Sequence, residues 1–177
     1  MLTKNQLAPE IITRTISDQP LDLYALRGKK VLIKFHRFSG CPVAQWQVHE
    51  LIGRQKELNA AGIETVIFLH SSKEKILSNF SEVPGLYIVS DKKKKFYKLF
   101  QSEFLWKKVF SFASWRSTFI SFFKGYFPQF NKFEGGIAGV PSDFLLDEKS
   151  RIAYLHYGKN FGDSWTVSDV LSKLKTN

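Results

Sequence analysis

Cysteine is all but absent: Cys41 is the one thiol in 177 residues. A single cysteine excludes an internal disulfide and any zinc site built from several thiolates. No apolar run reaches the ~18 residues that mark a membrane-spanning helix. The opening "MLTKNQLAPEIITRT" lacks the apolar stretch and small-residue cleavage site of a secretory signal. The expectation is therefore a cytoplasmic protein, in a compartment that keeps thiols reduced. Zinc-finger spacing, an RNA-binding aromatic box and a phosphate-binding glycine loop are missing too. Nucleic acid is thus not expected as the main partner, and neither a metal nor a cofactor is expected.

What the chain has in excess is phenylalanine, with 17 residues, and positive charge, with +10 net. That charge favours anionic partners without naming one. An apolar content of 44% and a charged content of 24% are ordinary for a folded globule. The length suits one domain over 1–177 with a real core.

Residues 1–30 read as an N-terminal extension ending in a turn at Gly28. "KKVLIKFH" is a buried strand bounded by turn signals. Pro42 then suits the first position of a helix, where its missing N–H costs nothing, and Gly62 is a natural stop. "IETVIFLH" and "GLYIVS" are two further strands. A short helix lies between them, with Ser71 and Ser72 as caps. "DKKKKFYKLFQ" reads as a helix capped by Asp91. "DFLLDEKSRIAYLHYG" reads as an antiparallel hairpin turning at Asp147 to Ser150, and "TVSDVLSKLK" as a closing amphipathic helix. Strands alternating with helices before an antiparallel pair make the class α/β.

A long helix is expected near 103–128. Lys107, Ser111, Ser114, Thr118 and Ser121 form one polar stripe, and nearly everything else there is apolar or aromatic. So narrow a polar face asks for burial in the core. A homodimer or partner interface comes next, and a basic aromatic helix lying on an anionic membrane ranks behind both.

Cys41 sits between the first strand and the first helix, in "FSGCPVAQW". It could be a reactive thiol, half of a lost pair, or a buried filler. If it caps a helix beginning at Pro42, its sulfur faces unpaired N–H groups and the positive end of the helix dipole, which favour the thiolate. Arg37, four residues upstream, adds a nearby cation. His36 ends the strand and can line the site. His49 lies two turns along the helix, but no spacing supports a Cys–His pair. Asp143 and Asp147 read as strand-end and turn residues rather than an acid–base pair.

"FHRFSGCPVAQW" following a buried strand resembles the active-site segment of thioredoxin-fold proteins. More closely, it resembles the peroxiredoxin-like branch of the AhpC/TSA family, where a CPxC form is common. "GGIAGVPSDFLLDEKSRIAYLHYGKNFGDSW" is similar to a second segment of that family, and "GIETVIFLHSSKE" to its central strand. The resemblance runs from about Lys30 to Leu174. It implies a thioredoxin-like fold, a central mixed sheet flanked by helices. It also implies that Pro141 is a cis-proline beside Cys41, with the Val140 backbone lining a substrate groove.

Two departures stand out. Common peroxiredoxins carry Thr or Ser three residues before the reactive cysteine and Pro four before that, where this chain has Phe38 and Lys34. Ala44 holds the place of the second CxxC cysteine, so no internal thiol can resolve an oxidised Cys41. The leading expectation is a thiol-dependent oxidoreductase with Cys41 as its single catalytic group. Its substrate would be a peroxide or a disulfide, and glutathione or a thioredoxin-like protein would finish the cycle. The alternative is a non-catalytic thioredoxin-fold module that binds a partner protein.

Overall fold

The computed structural model describes residues 1–102, 112–129 and 140–175. Its centre is a five-stranded mixed sheet in the order β5-β4-β3-β6-β7. The strands are β3 (Lys30–His36), β4 (Ile63–Leu69), β5 (Leu86–Ser90), β6 (Ser142–Leu146) and β7 (Ile152–Tyr157). β3 pairs parallel with β4 and β4 with β5; β6 runs antiparallel between β3 and β7. The α/β class and the sheet flanked by helices are as expected.

β3 shows how the sequence fills both faces. Val31, Ile33 and Phe35 enter one core with Val66, Phe68, Phe144 and Phe100. Leu32 enters the other with Ile67, Leu145, Leu51 and Leu58. The two-residue period of a strand dictates this alternation. It also sends Lys34 and His36 toward the second face, which α1 covers.

Helix α1 (Pro42–Ala60) begins with proline at its first turn, as expected. Val48, Leu51, Gln55 and Leu58 recur at helical spacing and are buried. The helix stops at Gly62, which takes a left-handed φ of 73° and donates its N–H to Asn59 O at 2.9 Å. α2 (Lys73–Leu77) is a short helix of 5 residues. α3 covers only Lys95–Leu99, because Lys92–Lys94 turn before it, with Lys94 at φ 56°. Asp91 caps it all the same: its carboxylate accepts the N–H groups of Lys95, Phe96 and Tyr97 at 2.7, 2.7 and 3.1 Å. Desolvation raises the Asp91 pKa, and those three N–H groups hold it down in part.

Of the predicted long helix, α4 spans Phe112–Phe123; residues 103–111, with Lys107 and Ser111, lie outside the described residues. α5 (Val167–Leu174) opens on a capping box in which Thr166 and Asp169 bond reciprocally. No described helix is long and apolar enough to cross a membrane.

The first 28 residues are woven into the fold. β1 (Ile12–Arg14) and β2 (Pro20–Asp22) form a small hairpin. Leu2, Ala8, Ile11, Leu21 and Leu23 join the first core. Ile16 N bonds Ile88 O at 2.8 Å, and Asn5 N bonds Ile152 O at 2.8 Å.

Candidate functional site

Cys41 is the N-cap residue of α1, with extended backbone angles of φ −75° and ψ 124°. A tight turn delivers it there: Cys41 N bonds Phe38 O at 3.0 Å, and Cys41 O accepts the first helical bond, from Gln45 N, at 2.9 Å. The side chain is 1% exposed and packs among Phe38, Val43, Ala44 and Phe161. The sulfur makes no capping bond to the helix amides. It turns instead toward Arg37, whose Nη1 donates to Sγ at 3.1 Å. The sequence places Cys41 at the helix start; the tertiary packing selects Arg37, over the free amides, as its partner.

Arg37 is itself 7% exposed. Its guanidinium lies 3.7 Å from the ring centroid of Phe161 and 5.4 Å from that of Phe38. A buried guanidinium sandwiched by aromatic faces keeps its charge while losing water, and the ring quadrupole compensates part of that loss. Phe161 is a residue the sequence reading does not single out. Nothing about "KNFGDSW" marks it, because it meets Arg37 only across the fold.

The loop carrying Phe161 is fixed at several points. Ser164 Oγ donates to Asp143 Oδ1 at 2.9 Å, and Trp165 N donates to Oδ2 at 2.7 Å. Asp143 forms an ion pair with Lys34 at 3.0 Å, with side chains 0% and 1% exposed. Lys34 Nζ also donates to Trp165 O at 2.6 Å. Asp143 is therefore neither an acid–base group nor a mere strand end. Asp147 does close the hairpin turn, accepting the N–H groups of Lys149 and Arg151 at 2.9 and 2.8 Å. Gly162 passes so close to α4 that a Cβ there would lie 2.2 Å from Ser117 Oγ, so any side chain at that point would force Ser117 or the loop to shift.

On the other side, Ser39 is fully buried, and its hydroxyl faces Ser71 Oγ at 3.3 Å. Asn79 Nδ2 bonds Ser39 O at 2.8 Å. Ser39 thus braces the turn. Gln129 N bonds Gly40 O at 3.1 Å, and Gln45 Nε2 bonds Phe127 O at 3.2 Å, which ties the segment after α4 to the cysteine turn. Ala44 lies one turn along α1 from Cys41, 2% exposed in the same cluster.

His36 is 2% exposed at the end of β3. Desolvation, with a smaller push from Lys34, holds its pKa well below the usual 6.5, so the ring is neutral. The Gln47 side chain meets the ring, and no hydrogen bond among the described residues joins it to Cys41. His49 stacks on Tyr126 at 5.7 Å and lies against Phe80 at 5.1 Å, away from the thiol.

The expectation of a cis-proline does not hold: the described residues contain no cis peptide bond, so Val140–Pro141 is trans. The strand register explains how a trans bond serves. Ser142 pairs with Phe35, so Pro141 runs straight into β6 beside the end of β3. Its carbonyl accepts Gly158 N at 2.9 Å. The trans form is also the lower in energy for an X–Pro bond, by about 0.5–1 kcal/mol. Pro141 is buried and Val140 half-buried at the sheet end that carries the cysteine turn. The segment before them, 130–139, lies outside the described residues.

Among the described residues, no group of His, Cys, Asp and Glu could hold a metal ion. The arrangement offers one nucleophile, one fixed cation on its sulfur and an aromatic lid over that cation.

Known proteins share this frame. The AhpC/TSA family model matches residues 5–155. The yeast mitochondrial 1-Cys peroxiredoxin, whose thiol resolution runs via glutathione/thioredoxin systems, superposes with a TM-score of 0.70 at 16% identity. That alignment covers 99% of this chain and 76% of the other. A putative thiol:disulfide interchange protein DsbE from Chlorobium tepidum gives 0.62 at 14% identity, covering 99% and 98%. The reduced 2-Cys peroxiredoxin of Plasmodium vivax gives 0.65 at 13% identity, covering 98% and 94%. None of the curated proteins matches the chain in sequence. At these identities the superpositions show a shared thioredoxin-like fold.

Proposed function

Because the chain belongs to the AhpC/TSA family, we propose that it is a thiol-dependent peroxidase acting through Cys41 alone and restored by an external thiol. The observation that carries the reading is the 3.1 Å bond from Arg37 to Cys41 Sγ. The guanidinium fixes the sulfur at the start of α1, and the thiolate is the form that acts as nucleophile. Burial of Cys41 to 1% exposure suits a small oxidant better than a protein disulfide.

The thiolate attacks one peroxide oxygen, and the O–O bond breaks. Sulfur is oxidised to the sulfenic acid, and the departing hydroxide or alkoxide takes a proton to become water or an alcohol. An external thiol then attacks the sulfenic sulfur, releasing water and leaving a mixed disulfide. A second thiol displaces Cys41 as thiolate and carries off the external disulfide. Ala44, where a resolving cysteine would stand, makes both thiols external. Glutathione and a thioredoxin-like protein are the two reductant classes to try, and the cytoplasm is the proposed setting.

The test is peroxide consumption with each reductant, alongside alkylation of Cys41 at neutral pH. Arg37→Met should slow alkylation about tenfold by removing the cation on the sulfur. Arg37→Lys should recover only part of that, since an ammonium cannot lie flat on Phe161. Peroxide loss no faster than in Cys41→Ser, with either reductant, would sink the proposal.

A further inference from the structure

Helix α4 is packed inside out. Its small polar residues face inward: Ser114 is 1% exposed and Ser121 0%. Three of its aromatic residues face outward: Trp115 is 61% exposed, Phe119 57% and Phe123 91%, and past the helix Phe127, stacked on the half-buried Phe122, is 63% exposed. The inner face can be polar because its hydroxyls are satisfied within the helix. Thr118 Oγ1 bonds Ser114 O at 3.0 Å, and Ser121 Oγ bonds Ser117 O at 2.8 Å. Small side chains there also let the helix approach Gly162 closely. The aromatic stripe is therefore left outside by the packing, on a helix roughly 18 Å long.

Charge says what could cover it. From Phe104 to Phe133 the sequence has no Asp or Glu, while Lys107, Lys108, Arg116, Lys124 and Lys132 are all cationic. Arg116 and Lys124 are exposed beside the stripe. Two copies meeting face to face would bring Arg116 and Lys124 of each together, on chains that each carry +10 net. Like charges so placed oppose a dimer through this face. Aromatic rings flanked by cations and free of acids match a surface that is apolar beneath and anionic on top.

We propose that the stripe Trp115–Phe119–Phe123–Phe127 docks the protein on the headgroup layer of an anionic phospholipid membrane, with the rings inserted and Arg116 and Lys124 against the phosphates. Lys124 Nζ lies 4.6 Å over the Trp46 ring, so this cation is held at the surface next to α1. The inner face of α4 touches the Phe161 loop, with Phe161 N donating to Ser114 Oγ at 3.4 Å. Helix α4 would therefore stand between a docked membrane and the loop that covers Arg37. The docking does not depend on the chemistry of Cys41, and its test has no catalytic readout.

The full chain is sedimented with sucrose-loaded vesicles of phosphatidylcholine alone or mixed with phosphatidylglycerol. Binding is expected to the mixed vesicles and not to phosphatidylcholine alone. It should fall about tenfold between roughly 0.05 and 0.5 M salt as the cations are screened. Phe119→Ser/Phe123→Ser should lose most of it while keeping its circular dichroism and melting temperature, because both rings are outside the core. Arg116→Ser/Lys124→Ser is the second variant, and should lose the preference for the anionic lipid. The proposal is overturned if mixed vesicles do not bind, if phosphatidylcholine binds equally, or if the aromatic variant binds like the parent. It is equally overturned if sedimentation velocity shows a dimer that the aromatic variant dissolves and vesicles do not compete away.

Discussion

At the end of β3, burial, with a smaller push from Lys34, sets the charge on an imidazole. Desolvation keeps His36 neutral in the folded protein, well below its usual 6.5. In the unfolded chain the same ring takes a proton as the pH falls through about 6.5. The stabilisation from neutral His36 is complete above that value and is lost progressively as the pH drops toward the lower folded pKa. His36→Gln removes the proton uptake. Urea midpoints measured near pH ~7.5 and ~5.5 should therefore fall less for His36→Gln than for the parent protein. Equal falls would show that His36 charges freely in the fold. Arg37 and Cys41 belong to this scale too. Their spacing is plain in the sequence, but the direction of the guanidinium depends on Phe161, 124 positions after Arg37 by their residue numbers.

Between elements, the Lys34–Asp143 pair joins β3, β6 and the Phe161 loop. Lys34 fills a position where the family resemblance points to proline, and its burial is tolerable only because three groups meet it or its partner. Lys34→Met would strand the Asp143 carboxylate without a cation. We expect a stability loss of about 3–5 kcal/mol by urea unfolding, the usual effect of breaking a buried pair from one side. The double substitution Lys34→Met/Asp143→Leu should recover only part of it, because Trp165 N and Ser164 Oγ lose their acceptor. A loss under about 1 kcal/mol for Lys34→Met would mean the site is wetter than its burial indicates. Elements were unevenly legible in the sequence. The strands of the central sheet, the Pro42 start and the Gly62 stop follow from local chemistry. The polar stripe of α4 was legible as a stripe, yet its residues gave no sign that it would be the buried side. The β1–β2 hairpin was missed because its strands are three residues each and lack an apolar run.

For the molecule as a whole, the first 28 residues cover one face of the sheet. Leu2, Ala8, Ile11, Leu21 and Leu23 shield Val31, Ile33, Phe35 and Ile152. Removing residues 1–28 would uncover that core and cut the bonds to β5 and β7. The truncated chain should bind a hydrophobic dye strongly and unfold without a cooperative transition, as loosely packed states do. A sharp melt close to that of the full chain would show the segment to be dispensable. By itself the sequence determined the α/β order, the place of Cys41 before a helix and the absence of a second thiol, since each depends on near neighbours or on a count. The tertiary structure decided what no neighbouring residue encodes. It put Phe161 on Arg37, paired Lys34 with Asp143 and turned the aromatics of α4 outward. Those outcomes are set by contacts between segments far apart in the chain, where packing and desolvation outweigh local preference.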